Sequence, residues 1–235
     1  GAENIRPKSI ARDMVERFCT FNDYIRDYGL QRSEGVLLRY LSEVYKTLLQ
    51  TVPESMRTEE VEDLIAQMRV MLRAVDSSLL DEWERMRDPE RAKVIAPEEV
   101  KLGSLQTVDP TKDLKRFTAR VRAELHRLLK AVATKDWEEA TAAIFQQKEG
   151  EWTHEQLEAE MAPYFEAHGA VDLTPRARQP IHTILREEGP RTWRAQQRIF
   201  DSQGEGGDWM LDCVIDLTVA RNADAPLISL QRIGT

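Results

Sequence analysis

The chain has 235 residues, with 33 Lys+Arg against 41 Asp+Glu, a formal charge of −8 and 41% hydrophobic residues. That is too much apolar material for a wholly disordered chain, and enough for one large domain or two ordinary ones. Two cysteines, Cys19 and Cys213, exclude a disulfide framework or a four-thiolate zinc site, and no apolar run reaches the ~18–20 residues of a membrane helix, so a reducing, cytoplasmic setting is expected. The start Gly1-Ala2-Glu3-Asn4 lacks the apolar region of a signal peptide, and Gly1 in place of Met leads us to expect a piece of a longer protein.

Ile10, Met14, Phe18, Phe21, Ile25 and Tyr28 recur every three or four residues and predict one helix, ended by Gly29. Ser33 is placed to cap a second helix, with Leu37, Leu41, Val44, Leu48 and Val52 on its apolar face and Pro53 as its stop. Thr58 caps a third, with Glu59 and Glu60 at its positive end. Its apolar periodicity runs from Val61 to Trp83, which takes the helix to about Arg87, with a kink expected near Asp76-Ser77-Ser78. Residues 88–110 contain Pro89, Pro97, Gly103 and Pro110 and little periodicity, and predict a linker between a helical domain over 1–105 and a second domain over 106–235.

Asp113 opens a helix with the stripe Leu114, Phe117, Val121, Leu125, Leu128 and Val132. A shorter helix is expected at about 136–147, and Thr153 with Gln156 forms a capping box for another that ends at Gly169. The period then changes to two. Residues 181–186, 191–200, 208–219 and 227–233 read as strands joined by turn-forming segments, an antiparallel meander. The expected class is α+β: an N-terminal helical bundle, then helices packed on a curved antiparallel sheet.

The chemistry is mostly one of absences. Neither GxxxxGK[ST] nor a strand–GxGxxG–helix is present, and His126, His154, His168 and His182 have no HExxH or CxxC pattern. No catalytic residue, metal ligand or cofactor is therefore assigned. Charge is more informative. Residues 111–135 carry Lys112, Lys115, Arg116, Arg120, Arg122, Arg127, Lys130 and Lys135 against Asp113 and Glu124, a net +6. Residues 173–198, with Arg194 and Arg198 among six arginines, carry a further +4, whereas 51–100 are acidic. Such asymmetry fits either a phosphate-binding surface or a solvated helix face that pairs with acids. Trp193 and Trp209 fall on neighbouring strands and, with His182, define an alternative: a ligand pocket inside the sheet.

Three stretches carry a family resemblance. They are Arg26-Asp27-Tyr28-Gly29-Leu30 through Ser33-Glu34-Gly35-Val36-Leu37-Leu38-Arg39-Tyr40-Leu41 to Pro53, then Val75-Asp76-Ser77-Ser78-Leu79-Leu80-Asp81-Glu82-Trp83-Glu84, and the tail from Trp193 through Gln196-Gln197, Phe200-Asp201 and Gly207-Asp208-Trp209 to Ile215-Asp216-Leu217. In this order they resemble the uncharacterised C-terminal domain of bacterial, mainly actinobacterial, superfamily 2 DEAD/DEAH-box helicases. The resemblance implies the C-terminal region of an ATP-dependent helicase whose motor domains, which would bind ATP and Mg, lie outside this chain. Glu34-Gly35-Val36-Leu37-Leu38-Arg39 with Leu48-Leu49-Gln50 is similar to the helical C-terminal domain of Ski2/Mtr4-like RNA helicases, which lines the RNA channel. That similarity implies Arg32, Arg39 and Lys46 as the cations nearest the strand. The second half is similar to the nuclear-transport-factor-2-like (cystatin-like) cone, a fold of many functions.

The expected function is a non-catalytic accessory region that contacts single-stranded RNA or DNA, the parent helicase's motor domains, or both. The alternatives are a ligand-binding or enzymatic cone domain and a homodimer formed through the sheet.

Overall fold

The computed structural model describes residues 7–75, 113–146, 150–205, 207–219 and 225–235. The chain divides into two compact units, Gly1–Ser104 and Leu105–Thr235. The class is α+β. Lys112, the linker over 88–110 and the extension of the third helix to Arg87 lie outside the described residues.

The first unit holds α1 (Pro7–Arg17), α2 (Phe21–Tyr28), α3 (Glu34–Thr51) and α4 (Glu59–Val75). The single helix expected before Gly29 is two. Phe18 adopts φ +51°, and Thr20 then starts α2 with a capping box in which its side chain accepts from the Asp23 amide while the Asp23 carboxylate accepts from the Thr20 amide. Gly29, at φ +64°, closes α2 with the Leu30 amide donating back to the Ile25 carbonyl. Ser33 makes no capping hydrogen bond; a short 3-10 turn leads into α3 instead. The core is Met14, Phe21, Tyr24 and Ile25 against Leu37, Leu41, Tyr45 and Leu49 of α3 and Ile65, Met68 and Leu72 of α4. The α3 stripe therefore runs through Tyr45 and Leu49 at four-residue spacing, and Val44 and Leu48 flank it.

Arg57 joins α3 to α4. It is 5% exposed, donates to the Leu49 and Val52 carbonyls at 3.0 Å each, and lies 3.4 Å from the Glu62 carboxylate. A buried cation thus satisfies two carbonyls at the negative end of α3.

The second unit holds α5 (Leu114–Ala133), α6 (Trp137–Ala142) and α7 (His154–His168), then β1 (Thr183–Gly189), β2 (Thr192–Arg198), β3 (Met210–Asp216) and β4 (Ser229–Gly234). The strands form an antiparallel sheet in chain order. Asp113 caps α5 and Asp136 caps α6, and Thr153 with Gln156 closes the expected capping box on α7. One sheet face carries Ala195, Ile199, Leu211, Cys213, Ile215, Leu230 and Ile233, all buried against Phe117, Val121, Leu125, Leu128, Met161 and Tyr164. Burying each such large side chain contributes roughly 1.5–3 kcal/mol. The opposite face carries Ile184, Arg186, Arg194, Gln196, Arg198, Asp212, Val214 and Arg232 by strand alternation.

Candidate nucleic-acid interface

On α3, Leu37, Leu41, Tyr45 and Leu49 point inward. Arg39 follows Leu37 by two residues, about 200° around the helix, and so lies opposite the core. Arg32, in the turn before α3, and Arg39 are exposed and form no ion pair among the described residues. Lys46 follows Arg39 by seven residues, on nearly the same side and about 10 Å further along. It lies 3.1 Å from Glu43, one turn earlier. An exposed i,i+3 pair of this kind contributes about 0.5 kcal/mol at most, too little to hold Lys46 from a phosphate.

The basic helix is a different object from the amphipathic surface helix expected. Phe117, Ala119, residues 121–126, Leu128, Leu129, Ala131 and Val132 of α5 are buried, so it lies at the centre of its unit. Arg122 is 5% exposed. Arg120 donates to Glu124 at 3.0 Å and to the Ala225 carbonyl at 3.1 Å, and Arg127 lies 2.6 Å from Glu139. Of the predicted cations on this helix, Lys115 and Arg116 in its first turn are the exposed ones. Among the described residues there is no continuous basic face, because Arg120, Arg122 and Arg127 are drawn into the unit.

His126, on the same helix, is 2% exposed, and its pKa is pushed down to about 3. Burial is the main cause, followed by the charges of Arg178 and Arg122. Arg178 is itself pushed down to about 10 by burial, and donates to the Leu173 carbonyl at 2.9 Å.

On the open sheet face Arg194 is committed. Its Nε and Nη2 grip both Asp212 oxygens at 2.9 and 2.5 Å, and Nη1 lies 3.3 Å from Glu188. These bonds hold its guanidinium well above its ordinary pKa. Arg198, and Arg186 directly across from Arg194, are exposed and form no ion pair among the described residues. None of the open-face residues named above is aromatic, so this face offers phosphate contacts without a base-stacking platform.

His182, Trp193 and Trp209 each pack against a different aromatic partner. Trp193 packs edge-on against Phe117 at 5.3 Å, Trp209 against Tyr164 at 5.5 Å, and His182 against Phe200 at 4.7 Å. Both tryptophans are partly buried and pack against the helix-facing core. His182 is held below its usual pKa by partial burial and by Arg198. Sequence reasoning missed the role of Asp201. Its carboxylate takes the Gln203 and Glu205 amides at 2.9 and 2.8 Å and lies 3.3 Å from His168 Nδ1. Asp201 organises the β2–β3 turn.

Among the described residues, no group of three His, Cys, Asp or Glu side chains is placed to hold a metal, and no helix is long and apolar enough to cross a membrane.

Fold and site together describe an α+β chain: a helical unit with the exposed cations Arg32 and Arg39, and a helix-on-meander unit whose arginines serve largely as internal ties. No curated protein and no solved structure matches it. A family model does, the domain of unknown function DUF3516, over residues 1–233. The chain belongs to that family.

Proposed function

We propose that this chain is a non-catalytic accessory region of an ATP-dependent RNA helicase that holds the strand by its phosphates and packs on the motor domains. One observation carries the reading: of the cations that the Ski2/Mtr4-like similarity implies, Arg39 and Lys46 lie on the side of α3 away from its core, and Arg32 is exposed in the turn before it. Contacts of this kind hold any sequence, because phosphates are the same at every nucleotide. Arg186 and Arg198 on the open sheet face are secondary contacts. The formal charge of −8 keeps independent binding weak, so the motor domains supply most of the affinity.

The test is titration of labelled single-stranded RNA with the chain and with R32E/R39E/K46E at low salt. The reading requires a large loss of affinity in the triple variant with its fold intact. Equal binding by both proteins removes α3 as the interface.

A further inference from the structure

We propose that the surface where Arg176, His182 and Arg198 meet, at the end of the β1–β2 ladder, is a binding site for a phosphate monoester. It enlarges the secondary contact given to Arg198 and does not depend on the α3 contact.

Three segments bring these groups together. Thr183 pairs with Gln197, so His182, just before β1, and Arg198, the last residue of β2, flank the end of that ladder. Arg176 comes from the segment that leads into β1. There Ala177 is 3% exposed, and the buried Arg178 donates to the Leu173 carbonyl at 2.9 Å, which pins the segment and leaves Arg176 on the outside. The Arg176 guanidinium lies over Gly204 of the β2–β3 turn, where a Cβ would come within 3.0 Å of its Nη2. The His182 ring is braced edge-on by Phe200 at 4.7 Å.

The charges here are of one sign. Arg176 and Arg198 are exposed, and neither forms an ion pair among the described residues. Burial, then Arg198 and Arg176, hold the His182 pKa below its usual range, and no carboxylate among the described residues acts on the ring. Asp201, the buried carboxylate of the turn, is taken up by the Gln203 and Glu205 amides and by His168. An anion placed among the three groups offsets their mutual repulsion. Two guanidinium forks and an imidazole match the three oxygens and near-double charge of a phosphate monoester. A phosphodiester or a carboxylate has a single charge and two free oxygens, and uses the site less fully. The monoester comes either from the phosphorylated end of a strand or from a free mononucleotide.

Calorimetric titration of the full chain at low salt separates these sources. The probes are uridine 5′-monophosphate and a 5′-phosphorylated single-stranded RNA; uridine and the same RNA with a 5′-hydroxyl are the controls. The proposal expects at least one phosphorylated probe to bind about tenfold more tightly than its control. A preference confined to the RNA assigns a strand end, and one shown in full by the mononucleotide assigns a free phosphate. Arg176→Gln and, separately, Arg198→Gln should each remove most of the preference while keeping the parent's circular dichroism spectrum, and His182→Gln should remove less. The mononucleotide pair involves no strand, so failure of this site and failure of the α3 reading are distinguishable. No preference for either phosphorylated probe, or a preference kept in full by both arginine variants, overturns the proposal.

Discussion

The Glu124 carboxylate accepts the Leu227 amide at 2.6 Å, across 103 residues of chain. Its other oxygen takes Arg120 at 3.0 Å, and Arg120 reaches the Ala225 carbonyl at 3.1 Å. One i,i+4 pair on α5 thereby sets the entry to β4. Glu124→Ala strands the buried Leu227 N–H and removes the partner of Arg120, and should cost about 2–4 kcal/mol in urea unfolding. Glu124→Gln keeps an acceptor and should cost less. A Glu124→Ala midpoint equal to the parent's contradicts this role.

Arg194 and Asp212 give a second stability prediction, paired with a prediction of unchanged binding. Asp212 is 1% exposed, and Arg194 closes on it with a two-pronged grip. Arg194→Lys keeps the charge but loses the fork, and should cost about 1–2 kcal/mol. Single-stranded RNA affinity of the folded variant should equal the parent's. A selective loss of RNA binding at unchanged stability would return Arg194 to the interface.

His126 makes stability depend on pH. Its folded-state pKa, pushed down to about 3, lies below the unfolded value near 6.5, so the unfolded chain binds the proton first. The stability is present above pH 6.5 and is lost as pH falls toward 3, at up to about 1.4 kcal/mol per pH unit for this one group. Arg178 and Arg122 face the ring and oppose protonation. His126→Gln should flatten the dependence of the unfolding midpoint between pH 6.5 and 4.5 relative to the parent. Parallel curves for the two proteins would mean that other groups set it.

Local signals in the sequence reported the structure well where the cause is local. Gly29 ends α2, Thr153 and Gln156 cap α7, and the period-two run from Trp209 to Leu217 contains β3. The break at Phe18 was hidden because apolar residues keep their three- and four-residue spacing straight through it. The capping box that marks it, Thr20 with Asp23, uses Asp where Glu or Gln is the usual signal. The site was less legible. The cations of α5 read as a surface because their partners are remote: Ala225 for Arg120 and Glu139 for Arg127. Arg57 gave no signal, since its two carbonyl acceptors belong to the backbone.

The cap at Gly29 is testable by itself. Gly29→Ala places a side chain at φ +64° and should cost about 1 kcal/mol, although a Cβ there meets no neighbour within 4 Å. A neutral substitution would show that the backbone strain is relieved by movement of the α2–α3 turn.

The central claim, strand binding by phosphate contacts from α3, is tested most directly by the salt dependence of RNA binding. The affinity of the parent chain for a single-stranded RNA is measured across a salt series, beside R32E/R39E/K46E. Three contacts predict a log–log slope of about −2 for the parent. The account predicts that the triple variant loses both the affinity and most of that slope. A variant that binds with the parent's affinity and the parent's slope would contradict it.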